Sequence, residues 1–250
     1  MAKLHKPLRV DVLGVPVDCV DMEGALALVE SVIRYDERLT ILAVNPEKVM
    51  AARRDPEILA TLRGAGLLIP DGIGVVWAAG LLSKQHIGRV PGSELMPAIS
   101  ALAAQNGYGV FLFGAAPEVN AAAVRVLQVN YPGLHIVGHH HGFVTEEDTA
   151  SLIDEINQSG ADVLFVALGS PRQELWINQH INELNIKVYQ GVGGTFNVLA
   201  GSVRRAPKLF RELNLEWFYR LLADPRRLVR QVVIPVFAVK VLWQKFMQIL

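Results

Sequence analysis

The sequence predicts an α/β fold in which a mostly parallel sheet carries helices on both faces. Short apolar runs alternate along the chain with helical segments of about 10–15 residues, as parallel sheets require. Nearly every apolar run ends in a turn rich in Gly, Pro or polar residues. The composition changes near Ser202, where a basic and aromatic tail begins. These observations predict a Rossmann-like sheet with a small N-terminal hairpin and a basic helical C-terminal appendage.

The elements follow in order from local signals. Alternation around Gly14 predicts the hairpin, and Asp21 caps a helix that extends to about Arg34. Buried strands are predicted at Leu39 to Val44, Gly66 to Ile69, Tyr108 to Phe113, Leu134 to Val137, Ala161 to Leu168 and Lys187 to Val192. Helices are predicted to follow from Pro46, Gly72, Pro117, Thr145 and Pro171, and Thr145 with Asp148 forms a capping-box variant.

The 250 residues suit one α/β catalytic domain over residues 1–202 and an appendage over residues 203–250. The 24 basic and 24 acidic side chains balance, which argues against a nucleic-acid partner. Cys19 is the only cysteine, so neither an intrachain disulfide nor a cysteine zinc cage is expected. The sequence shows neither a secretory signal nor a spanning segment of about 18–20 apolar residues. A cytosolic protein, soluble or peripheral to a membrane, is therefore expected.

Ligands of such folds bind at the carboxyl ends of the strands. Asp71 follows a predicted strand there and precedes a helix, so it can serve as a general base. Spacing alone favours the alternative that Asp71 caps the helix from Gly72. The segment Gly169 to Glu174 begins another helix, where an anion such as a diphosphate can bind and Gln173 or Glu174 can reach a sugar hydroxyl. An ordinary strand-to-helix turn explains this segment equally well.

A metal or dinucleotide site is not expected. The segment Gly191 to Phe196 is glycine-rich, but Phe196 stands where a dinucleotide fingerprint has its third glycine. The run His139 to His141 lacks supporting Cys, Asp or Glu, and no Asp-x-Asp pair occurs. The prediction is therefore no metal and no cofactor. A nucleotide-binding oxidoreductase remains a rival by fold analogy only.

The tail is basic and aromatic. Eight basic and three acidic residues lie between Val203 and Arg230, and no acid follows Asp224. Arg220, Arg227 and Arg230 recur at roughly helical intervals and can grip phosphate. With its neighbouring aromatic side chains, the tail favours an anionic membrane surface over nucleic acid, and a solvated basic face is the alternative. Self-association is left open.

The sequence resembles the WecG/TagA/CpsF glycosyltransferases, glycosyltransferase family 26. The matching blocks follow the family's order over most of the chain: Asn45 to Glu47, Pro70 to Gly74, Arg89 to Ser93, Phe113-Gly114, Gly169 to Glu174, Gly191 to Phe196, Arg205 to Pro207 and Leu215 to Leu221. Each block alone is weak evidence for the family, whereas all of them together are specific for it. Ala43, Glu94 and Asn197 depart from residues frequent in the family, which leaves the donor sugar open.

The resemblance implies an inverting, metal-independent transferase of cell-surface polysaccharide synthesis. It would move N-acetylmannosamine or its uronic acid from UDP to polyprenyl-diphosphate-linked N-acetylglucosamine at the inner face of the cell membrane. Asp71 matches the general base, and the tail is expected to close over the site. The expected substrate-binding residues are Asn45, Arg89, Gly114, Gln173, Glu174, Gly193, Gly194, Arg220, Arg227 and Arg230. Alternatives are another UDP-hexose as donor, or a nucleotide-sugar or lipid-binding protein without catalysis.

Overall fold

The structure is a computed structural model that describes residues 7–83, 85, 87–204, 206–207, 210, 218–219 and 232–249. Within these ranges the chain forms a six-stranded parallel sheet and a separate antiparallel hairpin, with helices packed around the sheet. The predicted α/β class, the mostly parallel sheet and the N-terminal hairpin are therefore confirmed.

The hairpin pairs β1 (Arg9–Val12) with β2 (Val15–Asp18). The sheet has the spatial order β4-β3-β8-β7-β5-β6, and all neighbouring strands are parallel. Its strands are β3 (Leu39–Val44), β4 (Leu67–Pro70), β5 (Gly109–Gly114), β6 (His135–His140), β7 (Val163–Ala167) and β8 (Val188–Gly191). Every residue of β5, β7 and β8 is buried, whereas the edge strand β6 is partly exposed throughout. The other edge strand, β4, is buried as well, because the hairpin packs against it.

Helices cover both faces of the sheet. They are α1 (Met22–Arg34), α2 (Pro46–Ala52), α3 (Pro56–Gly64), α4 (Ile73–Ser83), α5 (Gly92–Asn106), α6 (Pro117–Asn130), α7 (Glu146–Gln158), α8 (Arg172–His180), α9 (Thr195–Leu199) and α10 (Val233–Met247). Because successive strand residues point to opposite faces, Ile41 and Leu42 belong to two different apolar clusters. The Leu42 cluster includes the hairpin, α2, α4, α8 and α10, and the Ile41 cluster includes α1, α5 and α6.

The local signals that predicted the helix starts are present as hydrogen bonds. The Asp21 carboxylate accepts from the Gly24 N–H at 2.8 Å, and Thr145 and Asp148 form the reciprocal capping box. The sixth strand extends to His140, beyond the predicted end at Val137.

The C-terminal helix α10 packs against the body of the protein. It buries Phe237 and Val241, and it lies against α2 and α4. The Gln244 side chain accepts from the N–H of Leu13 at 2.9 Å and donates to the carbonyl of Asp11 at 3.0 Å, which ties α10 to the hairpin. The proposed boundary near residue 202 stays a prediction. Among the described helices, none has the length and apolar content needed to cross a bilayer.

Candidate active site

Four neighbouring strands bring the predicted site residues to one edge of the sheet. The strands β4, β3, β8 and β7 are adjacent in that order, and parallel strands end at the same edge. The residues that follow them are Asp71, Asn45, Gly193 and Gln173. Adjacent strands lie about 4.8 Å apart, so the four strand ends span about 14 Å.

Asp71 is held between two strand ends. Its backbone N–H donates to the carbonyl of Val44 at 3.0 Å, which continues the pairing of β4 with β3. Its Oδ1 accepts from the N–H of Gly92, the first residue of α5, at 3.2 Å. The segment before Gly92 runs beside β4, since the Val90 N–H donates to the carbonyl of Pro70 at 2.9 Å. The backbone of Asp71 is thus held by β3, and its half-buried carboxylate is held by the Gly92 N–H and can act as a base.

Two glycines allow the turn after β4 to pack against Asn45. A Cβ at Gly72 would lie 3.4 Å from the Asn45 Cβ, and a Cβ at Gly74 would lie 2.8 Å from the Pro46 Cγ. The second distance is too short for any other residue without displacement of Pro46. The Asn45 side chain caps α2 by accepting from the N–H of Lys48 at 2.9 Å. Asn45 therefore lies in direct contact with the turn that carries Asp71.

Gln173 and Glu174 are buried and face other protein groups. Gln173 Oε1 accepts from the N–H of Gly193 at 2.8 Å, and its Nε2 donates to Glu174 Oε1 at 3.1 Å. The same Glu174 oxygen pairs with Lys48 Nζ at 2.6 Å. These contacts connect the ends of β3, β7 and β8 in one network. From the sequence, Glu174 was expected to reach a sugar hydroxyl. In the structure, its described contacts are with Gln173 and Lys48.

Arg89 and the two remaining glycines lie at the same edge in different settings. Arg89 Nη2 is 3.9 Å from Glu94 Oε1, a loose pair that leaves the guanidinium partly exposed. Gly114 ends β5 with φ +118°, and a Cβ there would lie 2.6 Å from the Ala167 backbone, so β5 and β7 approach too closely for a side chain. Gly194 occupies the N-cap position of α9. The predicted residues Arg220, Arg227 and Arg230 lie outside the described residues.

Two of the three residues in the histidine run have hydrogen-bond partners, whereas the buried Nδ1 of His141 has none among the described residues. His139 Nδ1 lies 2.9 Å from Asn120 Oδ1, and His140 Nδ1 lies 2.9 Å from the carbonyl of His141. Within the described ranges, no group of three His, Cys, Asp or Glu side chains is arranged to hold a metal ion.

Lys48 and Gln190 are site residues that the sequence did not indicate. Lys48 lies 126 positions from its partner Glu174, so only the strand order reveals the pair. Gln190 is fully buried in β8, and its Nε2 donates to the carbonyl of Gly92 at 3.2 Å. Gln190 therefore supports the residue that holds Asp71. A polar residue inside an otherwise apolar strand was the one available signal, since buried polar side chains require partners.

Fold and site together define an α/β protein that gathers polar side chains and glycine turns at the carboxyl ends of its strands, where folds of this type bind their ligands. The model of the glycosyl transferase WecG/TagA/CpsF family matches residues 10–249 of the chain. The protein belongs to this family of glycosyltransferases, which confirms the resemblance found in the sequence motifs.

Curated relatives support the same membership. Proteins of Staphylococcus aureus strains MRSA252, NCTC 8325 / PS 47 and COL are each 39% identical to this chain over 238 residues, which cover 93% of this chain and 92% of the relative. Each is named N-acetylglucosaminyldiphosphoundecaprenol N-acetyl-beta-D-mannosaminyltransferase.

Proposed function

We propose that this protein transfers N-acetylmannosamine, or its uronic acid, from UDP to a polyprenyl-diphosphate-linked N-acetylglucosamine during synthesis of a cell-surface polysaccharide. The observation that carries the proposal is the placement of Asp71, which lies at the end of β4, in contact with the Asn45 turn and held by the Gly92 N–H. The names of the relatives, which match over 92% of their length, supply the substrate class.

In this proposal Asp71 is the general base. Its carboxylate takes the proton from the acceptor sugar hydroxyl, whose oxygen forms a bond to the anomeric carbon of the donor. The bond between that carbon and the phosphate oxygen breaks on the opposite side, UDP leaves with the electron pair, and the anomeric configuration inverts. The hydrogen bond from the Gly92 N–H to Oδ1 supports this role, because it restricts the rotation of the Asp71 carboxylate that would accept the proton.

The departing UDP is an anion and requires stabilisation. The turn at Gly193 and Gly194 is suited to this role, since glycine lets a diphosphate approach the backbone closely. Arg89 can add a cation from the neighbouring segment. We assign Arg220, Arg227 and Arg230, which lie outside the described residues, to the same task because a guanidinium can bind phosphate. Neither Lys48 nor any metal ion has a step in this scheme.

We further propose that the protein works at the inner face of the cell membrane. Several large apolar side chains of α10 are exposed: Val236, Val239, Leu242, Trp243, Phe246 and Met247. Lys240 and Lys245 lie among them, and no acidic residue follows Asp224. Apolar and aromatic side chains combined with cations favour the interface of an anionic bilayer, where a polyprenyl acceptor resides.

The test is an assay of UDP release with a defined acceptor. The purified protein is mixed with short-chain polyprenyl-diphosphate N-acetylglucosamine and, in separate reactions, UDP-N-acetylmannosamine, UDP-N-acetylmannosaminuronic acid and UDP-N-acetylglucosamine. We expect acceptor-dependent UDP release with one of the two mannosamine donors and a product of inverted anomeric configuration by NMR. Release with UDP-N-acetylglucosamine alone would indicate another hexose as substrate. Tight binding of UDP without release from any donor would indicate a non-catalytic binding protein.

A further inference from the structure

A buried ion pair joins two of the strand-end elements. Lys48 Nζ lies 2.6 Å from Glu174 Oε1, and the two side chains are only 8% and 2% exposed. Burial removes both charges from water, and a buried pair is often no more stabilising than apolar packing of the same size. The other oxygen, Glu174 Oε2, is buried without a hydrogen-bond partner among the described residues. The pair is thus a costly arrangement for fold stability alone, which suggests that it serves the site.

Glu174 determines how the neighbouring Gln173 amide is turned. Because Glu174 Oε1 accepts from Gln173 Nε2, the Gln173 Oε1 atom faces the opposite way and accepts from the N–H of Gly193. An amide with its two ends exchanged would present a donor to another donor at Gly193. The Gln173 side chain also packs on Gly191, where a Cβ would lie 2.7 Å from Gln173 Nε2. The carboxylate therefore holds the turn after β8 through one intermediate side chain.

The cation is anchored in turn by the Asn45 helix. Lys48 lies in the first turn of α2, and its backbone N–H is capped by the Asn45 side chain at 2.9 Å. A continuous path of hydrogen bonds then runs from Asn45 through Lys48, Glu174 and Gln173 to Gly193. The path fixes the ends of β3, β7 and β8 relative to one another.

We propose that Lys48 and Glu174 are positioning residues that set the Gly193 turn in the geometry that receives the donor diphosphate. Neither residue contacts substrate in this proposal. The part that concerns the diphosphate rests on the proposed function, and the part that concerns the turn rests on the contacts alone. The loss of the pair should therefore weaken the binding of UDP and loosen residues 191–198.

The test compares Lys48→Met with Lys187→Met. Lys187 Nζ pairs with Asp162 Oδ1 at 3.1 Å at the opposite ends of β7 and β8, so its replacement removes an ion pair next to the same strands but away from the site. In Lys48→Met we expect UDP affinity, measured by calorimetry, to fall by about tenfold, the factor for one well-placed hydrogen bond. Amide hydrogen exchange of residues 191–198 should accelerate in this variant. Lys187→Met should keep UDP affinity within about twofold and leave that exchange unchanged.

A second pair of variants avoids an unpaired buried charge. The double variant Lys48→Met/Glu174→Gln keeps a side-chain oxygen at position 174 that can accept from Gln173 Nε2. The double variant Lys48→Met/Glu174→Leu lacks this oxygen. Both variants lack the charges of Lys48 and Glu174. We expect the Leu version to bind UDP about tenfold more weakly than the Gln version, because only the latter keeps Gln173 oriented. This comparison remains decisive if Lys48→Met alone does not fold.

Failure of the proposed function would be seen in the wild-type protein, either as no binding of UDP or as binding of UDP without its release from any donor. Failure of the positioning proposal would be seen only in the variants. Wild-type UDP affinity in folded Lys48→Met, or equal affinities in the Gln and Leu double variants, would overturn it.

Discussion

The backbone N–H of Gly92 donates to Oδ1 of Asp71 over 3.2 Å, across 21 residues of sequence. The proposed base is therefore held by the first residue of α5, a helix that packs on the opposite face of the sheet from α4. The same Gly92 accepts through its carbonyl from Gln190 Nε2 at 3.2 Å. Gly92 thus connects the proposed base Asp71 to Gln190 in the centre of the sheet. Replacement of Asp71 and replacement of Gln190 test this connection separately.

The variant Asp71→Asn should remove catalysis without affecting the fold. Asparagine keeps an oxygen that accepts from the Gly92 N–H, but it cannot take the proton of the acceptor hydroxyl. We expect kcat to fall by about 10²–10⁴-fold, the usual contribution of a general base, with UDP affinity unchanged. The control is Asp55→Asn, since Asp55 caps α3 and asparagine caps equally well. Near wild-type turnover of Asp71→Asn would assign the carboxylate to capping or packing.

The variant Gln190→Met should separate activity from stability. It removes the donor to the Gly92 carbonyl and leaves a side chain of similar volume. The loss of one hydrogen bond that supports Asp71 should lower kcat by about five- to tenfold. The melting temperature should hold or rise, because Gln190 Oε1 is buried and has no described partner.

The control for Gln190→Met is Ser100→Ala in α5. The hydroxyl of Ser100 donates to the Met96 carbonyl of the same helix, so its loss should leave kcat unchanged. A parallel decrease of kcat and melting temperature in Gln190→Met would indicate that Gln190 acts through the fold alone.

Much of the fold follows from the sequence because its signals are local. The alternation of apolar runs with capped helices predicted all six sheet strands, and Asp21 and Thr145 marked two helix starts correctly. Helices α3, α5 and α9 were not predicted. Helix α5 has Pro97 in its interior, a residue that normally ends a helix, so its local signal contradicts its structure. The packing of α5 on the sheet overrides that signal.

The sequence could predict only those site residues that directly follow a predicted strand. Asp71, Asn45, Gln173 and Gly193 follow predicted strands, so their placement at one edge follows from the parallel sheet. The partners of these residues do not follow from local pattern. Lys48 meets Glu174 only because β3 and β7 both flank β8, and β8 lies between them in the sheet although it is the last of the three in the chain. Gln190 required both the strand order and the position of α5.

The variant Gly114→Ala should destabilise the protein strongly. Gly114 has φ +118°, and a Cβ there would lie 2.6 Å from the Ala167 backbone, so the new methyl group would displace β7 from β5. We expect a loss of at least about 2 kcal/mol in the free energy of unfolding, measured with urea. The control is Gly194→Ala, where a Cβ meets no atom within 4 Å, and stability should be unchanged. Equal stabilities of the two variants would contradict the close approach of the strands.

Stability should decrease at alkaline pH in part because of Tyr189. Burial raises the pKa of the Tyr189 phenol, and the hydroxyl donates to the Leu184 carbonyl at 3.2 Å. Because the folded protein favours the protonated phenol, this contribution is complete below the unfolded pKa of about 10. It is lost as the pH rises through the folded pKa. Urea unfolding at about pH 8 and pH 11 should show a smaller decrease for Tyr189→Phe than for the wild type. Equal decreases would contradict the assignment.

The surface of α10 should bind anionic vesicles through its exposed aromatic residues. Trp243 is 65% exposed and lies close to Lys240 and Lys245 in the same helix. Replacement by Glu removes an interfacial aromatic ring and adds a charge of the sign of the lipid headgroups. We expect Trp243→Glu to weaken cosedimentation with phosphatidylglycerol-containing vesicles by about tenfold.

The matched control for this membrane prediction is Val129→Glu. Val129 is 78% exposed in α6, so the substitution adds the same charge to an apolar surface residue of a different helix. Binding of the wild type should also weaken between about 50 mM and 500 mM NaCl, because salt screens the attraction of the lysines to the lipid. Insertion of the Trp243 ring into the bilayer interface is an apolar interaction that salt does not screen. At the higher salt concentration, Trp243→Glu should therefore still bind vesicles more weakly than Val129→Glu. If both variants lost vesicle binding equally, added negative charge alone would explain the loss, and α10 would not be the contact surface.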